Sequence, residues 1–254
     1  MTRVFDSYAA YYDLLYADKN YASEVAYCLA LLAENGVDGG SILDLGCGTG
    51  KHADQFARQG FSVHGVDFSE LMIELAEQRK PTELADRLRF EVGDVRTARL
   101  GRQFDAVISL FHVASYQTSN QDLKAMFSTA AEHLKLGGVF IFDFWYGPAV
   151  LTDQPEVRQK RMENEEIKVL RIAEPMMYPN ENLVDVKYTI NVTRRDIEKP
   201  SVIKETHRMR YLFLPELEDM LMNSNLRMVR SAKWLTTEKL DLSSWQGLAV
   251  CCKV

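Results

Sequence analysis

Three closely spaced glycines constrain this chain more than any other feature of its sequence. The segment Asp44–Gly50 reads Asp-Leu-Gly-Cys-Gly-Thr-Gly and links the apolar run Ser41–Leu45 to a helical pattern over residues 50–59. Glycines allow a tight turn and let a ligand touch the backbone, and the helix N-terminus behind them favours negative charge. Because ligands of open α/β sheets bind at the carboxyl ends of strands, the loop predicts a ligand site at this junction.

Two common phosphate-binding loops fit the segment poorly. A Walker loop requires G-x-x-x-x-G-K-[ST], but Gly46 and Gly50 are one residue too close and His52 replaces the hydroxyl residue. The dinucleotide fingerprint G-x-G-x-x-G requires a glycine where Lys51 stands. Asp44 would repel a pyrophosphate and attract a cationic amine. The loop therefore favours a ligand that carries positive charge near Asp44.

Two further carboxylates follow the next predicted strands. Asp67 ends the run Phe61–Asp67, where a carboxylate can accept hydrogen bonds from both hydroxyls of a ribose. Asp94 follows Leu88–Val92 and can accept a hydrogen bond from an adenine amino group. Together with Asp44, these residues suggest a nucleoside without phosphate and with a positively charged tail.

The first part of the chain alternates strand and helix patterns, which predicts a parallel sheet with right-handed crossovers. The predicted strands cover residues 41–45, 61–67, 88–92, 104–110 and 139–143. The predicted helices cover residues 21–35, 50–59 and 121–134, and another begins after Ser69, a candidate N-cap.

Period-2 alternation with turn-rich breaks predicts an antiparallel meander over residues 160–213, inserted into a single domain of residues 1–254. We expect this meander to form a pocket wall or a homodimer surface. A helix opened by Pro215 and two strands, near 226–235 and 247–254, close the chain. The basic run Arg158–Arg161 is interpreted as a solvated helix face, with contact to a substrate phosphate as the alternative.

Composition excludes several classes of protein. The net charge of −6 gives no bulk attraction for nucleic acids or anionic membranes. The four cysteines form no C-x-x-C pair, so no metal site is predicted and a reducing compartment is favoured. Neither a signal peptide nor an apolar run of the ~18 residues that span a bilayer is recognisable, so we expect a cytoplasmic protein.

The motifs taken together resemble those of class I S-adenosylmethionine-dependent methyltransferases. They occur in the family's order within residues 40–145: Asp44–Gly50, Val66–Ser69, Gly93–Val95, Phe104–Val107 and Leu134–Val139. The resemblance implies a Rossmann-like, doubly wound α/β fold with a mostly parallel sheet of seven strands. It also implies S-adenosylmethionine as the cofactor.

By the same resemblance, the Gly46–Gly50 backbone cradles the methionine part, Asp67 holds the ribose, and Asp94 with Val95 flanks the adenine. The tyrosines near the N-terminus either pack a terminal helix or line the site, with Tyr12 and Tyr16 as candidates. The predicted cofactor-binding residues are Tyr12, Tyr16, Asp44, Gly46, Cys47, Gly48, Gly50, Asp67, Phe68, Met72, Asp94, Val95 and Leu110.

A narrower resemblance covers most of the chain. The segments Tyr8–Tyr16, Phe142–Trp145 and Glu205–Arg210 are similar to those of bacterial amino-sugar N-methyltransferases, which methylate the amine of a nucleotide-linked deoxysugar. Those enzymes carry an active-site histidine in the loop after strand four. This chain departs from that pattern, with Tyr116 at that place and His112 four residues earlier.

The acceptor and the base remain open at this stage. We assign the general base to His112, with His207 and Tyr116 as rivals, and expect Glu205 and His207 to share one face of a strand. The favoured function is N-methylation of a small amine such as a nucleotide-linked amino sugar. O- or C-methylation of another metabolite and a non-catalytic cofactor-binding module are the alternatives. RNA or DNA as the acceptor is disfavoured because no basic and aromatic tract accompanies the motifs.

Overall fold

The computed structural model describes residues 14–16, 18–194 and 201–254, and the chain divides into two compact units. The smaller unit comprises Met1–Lys19 with Gln154–Arg210, and the larger comprises Asn20–Asp153 with Tyr211–Val254. The helices are α1 Tyr21–Glu34, α2 Lys51–Arg58, α3 Glu70–Arg79, α4 Asn120–His133, α5 Gly147–Thr152 and α6 Leu214–Met222. The strands are β1 Ser41–Leu45, β2 Ser62–Asp67, β3 Leu88–Val92, β4 Phe104–Ser109, β5 Leu134–Tyr146, β6 Arg158–Glu163, β7 Ile167–Tyr178, β8 Leu183–Arg194, β9 Ser201–Leu212, β10 Leu226–Lys233 and β11 Gln246–Lys253.

The sheet of the larger unit runs in the order β3-β2-β1-β4-β5-β11-β10. The first five strands pair in parallel, whereas β11 is antiparallel to both of its neighbours. This confirms the predicted doubly wound, mostly parallel core. The described residues contain eleven strands rather than seven, because β6 to β9 of the meander add four to the seven of this sheet. The last residues of β9 pair with the end of β5.

Both faces of this sheet are covered, which explains why its central strands read as nearly continuous apolar runs. Alternate residues of a strand point to opposite faces. Leu43 and Phe140 join the core under α4 and α6, whereas Ile42 and Ile141 join a second core under α1 and α2. The carboxyl ends of β1, β2 and β4 are thereby held at a common edge.

Ser69 caps α3, as its position in the sequence predicted. Its hydroxyl accepts a hydrogen bond from the backbone N–H of Met72 at 3.4 Å. The cap starts this helix immediately after Asp67, so that the carboxylate stays at the end of β2.

The smaller unit contains the antiparallel meander β6-β7-β8-β9. Its apolar side chains form a small separate core made of Leu15, Ile167, Val169, Ile190 and Val192. The interpretation of Arg158–Arg161 as a helix face is wrong, since these residues lie in β6. Their charged side chains carry no apolar periodicity, and basic residues on an edge strand discourage further strand pairing.

Helices long and apolar enough to cross a membrane do not occur among the described residues.

Candidate active site

The glycine loop between β1 and α2 adopts a conformation that only glycine reaches without strain. Gly46, Gly48 and Gly50 have φ angles of +84°, +53° and +74°. A Cβ atom on Gly46 would lie 2.5 Å from the side chain of Val113, and one on Gly50 would lie 2.7 Å from the ring of Phe90. The backbone therefore approaches its neighbours closely at two points of the loop.

We expect Gly46→Ala to lower the free energy of unfolding by roughly 1–3 kcal/mol more than Gly36→Ala does. The two glycines have nearly equal φ angles, +84° and +83°, but the Cβ of the second would meet nothing within 4 Å. Chemical denaturation of both variants therefore separates the steric clash from the backbone strain. Equal losses of stability would show that Val113 simply moves aside.

Asp67 ties the end of β2 to the glycine loop. Its Oδ2 accepts a hydrogen bond from the N–H of Gly48 at 2.8 Å, and its Oδ1 accepts one from the N–H of Ser69 at 2.9 Å. Burial raises the pKa of Asp67, and the two backbone hydrogen bonds oppose that rise. Each carboxylate oxygen has a second lone pair, so the group can still accept hydrogen bonds from a ligand.

Asp44 lies in β1 with 2% of its surface exposed. Its Oδ2 has no hydrogen-bond partner among the described residues. Burial, and then the negative charge of Asp67, raises the pKa of Asp44 to about 8. A buried polar atom without a partner is unfavourable unless a ligand provides one, and a positively charged ligand would do so here.

A cleft of about 400 Å³ opens beside the loop. This is the size of a small-molecule site, which is typically ~300–1,000 Å³. Phe68 lies at this cleft with 77% of its surface exposed, an unusual position for a large apolar ring. The lining residues are Gly46, Asp67, Phe68, Asp94, Val95, Arg96, Val113, Tyr116 and Gln117.

Arg96 is a cleft residue that the sequence did not single out. Its Nε lies 2.9 and 3.0 Å from the two carboxylate oxygens of Asp94, and its Nη1 donates to Asp122 at 2.8 Å. The hydrogen bonds from Arg96 lower the pKa of Asp94. Asp94 is thus held as a carboxylate at the edge of the cleft, where Val95 is buried beside it.

The remaining predicted cofactor residues are dispersed. Cys47 is buried within the loop, and Met72 and Leu110 are buried in the larger unit without lining the cleft. Tyr16 belongs to the smaller unit and is half-buried. Tyr12 lies outside the described residues. The cofactor roles assigned to these residues stay predictions.

His112, the first candidate base, follows β4 in a strained backbone. Both Phe111 and His112 are left-handed, with φ angles of +73° and +66°, and such residues each cost about 1–3 kcal/mol. The N–H of His112 donates to both oxygens of Asp143, at 2.9 and 3.1 Å. Its ring Nδ1 lies 2.9 Å from Oδ2 of Asp143.

Asp143 is a buried contact of His112 that the sequence did not single out. It is fully buried in β5, and its Oδ2 also accepts a hydrogen bond from Gln246 at 2.7 Å. Burial acts to raise its pKa, but the charge of His112 and hydrogen bonds from His112 and Gln246 bring the pKa below the usual value. One signal was available, because Asp143 interrupts the most apolar run of the chain, Val139–Trp145.

The two rival bases lie in different units. Tyr116 lines the cleft with 45% of its surface exposed. His207 belongs to the smaller unit, where its Nε2 lies 3.1 Å from Glu205 and its ring packs edge-on against Tyr188. The expectation that Glu205 and His207 share a strand face is confirmed.

Comparisons with known proteins place the chain in a family. A methyltransferase-domain model matches residues 42–138. The chain is 31% identical over 185 residues to the dTDP-3-amino-3,4,6-trideoxy-alpha-D-glucopyranose N,N-dimethyltransferase of Streptomyces venezuelae, covering 72% of this chain and 76% of that protein. It is 26% identical over 203 residues to the dTDP-4-amino-2,3,4,6-tetradeoxy-D-glucose N,N-dimethyltransferase of Saccharopolyspora spinosa, covering 75% and 79%.

Solved structures agree with this relationship. The crystal structure of DesVI from Streptomyces venezuelae superposes with a TM-score of 0.80 at 25% identity, covering 98% of each chain. An S-adenosylmethionine-dependent methyltransferase from Clostridium acetobutylicum superposes with a TM-score of 0.83 at 24% identity, again covering 98% of each chain. The chain therefore belongs to the class I S-adenosylmethionine-dependent methyltransferases and is similar to the bacterial N-methyltransferases of nucleotide-linked amino sugars.

Proposed function

We propose that this enzyme transfers a methyl group from S-adenosylmethionine to the amine of a nucleotide-linked amino sugar. The choice of an amine as the methyl acceptor is supported by the similarity to two relatives named as N,N-dimethyltransferases of dTDP-linked amino sugars. Each similarity covers more than three quarters of the relative, 76% and 79%. A histidine that follows β4 suits such an acceptor, because a protonated amine must lose a proton before it can attack.

The residues of the cleft fit S-adenosylmethionine. The unpartnered oxygen of Asp44 suits a positively charged methionyl part, and Gly46, which has no room for a Cβ beside Val113, presents its backbone to the cleft. Asp67 keeps lone pairs for ribose hydroxyls, and the exposed ring of Phe68 can cover an adenine. When bound, this cofactor supplies a methyl group activated by a positively charged sulfur.

The chain contributes mainly by positioning the acceptor and by taking up its proton. Orientation of two reacting groups is worth roughly 7–11 kcal/mol of a barrier, so we assign most of the acceleration to it. His112 accepts the proton of the acceptor amine, and general-base catalysis of this kind adds about 10²–10⁴-fold. Of the two rivals for that role, Tyr116 lines the cleft.

The test is a transfer assay with a matched pair of acceptors. Purified enzyme receives S-adenosylmethionine with dTDP-3-amino-3,4,6-trideoxyglucose, or with the same compound carrying a hydroxyl in place of the amine. Mass spectrometry should detect one or two added methyl groups on the amine and none on the hydroxyl compound. Methylation of the hydroxyl compound alone, or no transfer to amino sugars by enzyme that binds the cofactor, would overturn the proposal.

We expect Phe68→Ala to weaken binding of S-adenosylmethionine about tenfold, since the adenine loses an aromatic face. Isothermal titration calorimetry measures the dissociation constant. Leu136→Ala is the matched control, because Leu136 is 82% exposed and does not line the cleft. An unchanged dissociation constant for Phe68→Ala would remove this residue from the cofactor site.

We also propose a cytoplasmic location for this biosynthetic reaction. Its support is the state of the cysteines: Cys28, Cys47 and Cys251 are buried, and all four cysteines are free thiols. Free thiols persist in a reducing compartment.

A further inference from the structure

Asp143 contacts His112 at two places, the backbone N–H and the imidazole ring. Its oxygens accept the backbone N–H of His112 at 2.9 and 3.1 Å, and its Oδ2 lies 2.9 Å from the ring Nδ1. One carboxylate thus holds both the main chain and the ring of the same residue. The ring is thus placed with Nδ1 towards the carboxylate.

The strained backbone around His112 is part of the same arrangement. Two consecutive left-handed residues, Phe111 and His112, turn the N–H of His112 towards β5, where Asp143 lies. Strain of this kind persists only where surrounding contacts over-determine it. Asp143 supplies such contacts, and the stacked ring of Phe111, 5.7 Å from the imidazole between centroids, supplies another.

Gln246 holds the carboxylate from the opposite strand. It is the first residue of β11, pairs with Trp145 of β5, and donates its side-chain N–H to Oδ2 of Asp143 at 2.7 Å. Trp145 lies edge-on to the His112 ring at 6.3 Å between centroids. The carboxylate and the imidazole are therefore both fixed by residues of adjacent strands.

The charges around the pair leave Asp143 ionised. Burial acts to raise the pKa of Asp143, but the charge of His112 once it is protonated and the hydrogen bonds from His112 and Gln246 bring that pKa below its usual value. The negative charge of Asp143 also acts on the buried thiol of Cys28. Burial raises the pKa of that thiol and Asp143 raises it further, so Cys28 stays neutral.

We infer that Asp143 is a positioning residue that holds the His112 ring with Nδ1 inward and leaves Nε2 for the proton of the methyl acceptor. The inference rests on the proposed function, in which His112 is the base. When Nε2 takes one proton from the acceptor nitrogen, His112 carries one positive charge and Asp143 stays a carboxylate that stabilises it. The same geometry of base and orienting carboxylate serves other enzymes in which a histidine moves protons.

The first test measures the tautomer of the His112 ring and does not depend on activity. Nitrogen NMR of the ¹⁵N-histidine-labelled full-length enzyme, with resonances assigned through His112→Asn, reports which ring nitrogen carries hydrogen in neutral His112. We expect hydrogen on Nδ1 in the wild type and a shift towards the Nε2 form in Asp143→Asn. An unchanged tautomer in folded Asp143→Asn would overturn the inference.

The second test separates kcat from KM. We expect Asp143→Asn to lower kcat by roughly 100-fold and to leave KM for S-adenosylmethionine within twofold, with Asp143→Glu restoring part of the loss. If Asp143→Asn fails to fold, Gln246→Leu keeps the inference testable, because it removes one hydrogen bond to the carboxylate and should lower kcat about tenfold. Full kcat in both Asp143→Asn and Gln246→Leu would contradict the positioning role.

Failure of the base role of His112 and failure of the positioning role of Asp143 give different results. If His112→Asn retains full kcat, the proposed base is wrong, but the tautomer measurement still tests whether Asp143 orients the ring. If His112→Asn loses activity while Asp143→Asn keeps both kcat and tautomer, the base stands and the positioning role is wrong.

Discussion

Replacing Asp44 by asparagine is expected to raise the thermal unfolding midpoint of the cofactor-free enzyme while removing most of its affinity for S-adenosylmethionine. Burial and the charge of Asp67 raise the pKa of Asp44 from 3.8 to about 8. A group whose pKa is raised by folding stabilises the folded state fully only below its unfolded pKa. That stability is lost as pH rises towards the folded pKa.

The effect of Asp44→Asn on stability should therefore depend on pH. Near pH 4 the variant and the wild type should unfold at similar temperatures, and by pH 8 the variant should unfold roughly 5–10 °C higher. Differential scanning calorimetry across this range measures the difference. A variant that is less stable than the wild type at pH 8 would show that the Asp44 carboxylate is satisfied in the folded enzyme.

Asp105→Asn is a matched control with the opposite sign. Burial acts to raise the pKa of Asp105, but hydrogen bonds from Lys135 and Ser41 hold it below the usual value. Its carboxylate therefore contributes stability above its unfolded pKa, and the substitution should lower the unfolding midpoint at neutral pH. A rise with both substitutions would point to a general effect of reduced negative charge.

Asp44→Asn should weaken binding of S-adenosylmethionine about 100-fold, because it removes the buried negative charge opposite a cationic ligand. In the wild type, affinity should fall as the pH is lowered from 8 to 6, since Asp44 must lose its proton to attract that charge. Titration calorimetry at several pH values measures both effects. Asp44→Asn should lack this part of the pH dependence, and equal pH dependence in both proteins would exclude Asp44 as its source.

The second large effect is expected at His112. His112→Asn should lower kcat by about 10²-fold and leave KM for S-adenosylmethionine nearly unchanged, since the residue takes the proton of the acceptor and does not line the cofactor cleft. Raising the pH should recover part of the loss, because the acceptor amine then loses its proton to solvent. Steady-state assays between pH 7 and 9.5 measure both parameters.

The rival bases serve as comparisons. Tyr116→Phe and His207→Ala should each lower kcat no more than a few-fold. A larger loss in His207→Ala than in His112→Asn would move the base to the meander. Small losses in all three variants would leave positioning as the source of the acceleration.

Local patterns in the sequence were enough to predict the core of the fold. Most of the runs that predicted β1 to β5 are short and apolar and lie close to a glycine or to the start of a helix, so these signals lie within a few residues of one another. The glycine loop and Asp67 were predicted in the same way, because both depend on the end of one strand and the start of the next helix. Ser69 supplied such a boundary.

Contacts between distant segments were harder to predict. The pairing of His112 with Asp143 joins the loop after β4 to the carboxyl-terminal part of β5, and it depends on a strand register that no local pattern reveals. The hydrogen bonds from Arg96 to Asp94 and Asp122 likewise depend on where α4 packs, which the local sequence does not reveal. The run Arg158–Arg161 was misassigned because an edge strand with charges on both faces lacks the period of either structure.

A crystal structure of the enzyme with S-adenosylhomocysteine and a dTDP-linked amino sugar tests the central claim most directly. We expect the nucleoside in the cleft of Gly46 and Asp67, with the sugar amine within hydrogen-bond distance of Nε2 of His112. An amine placed away from His112, or a nucleoside whose ribose makes no contact with Asp67, would contradict it.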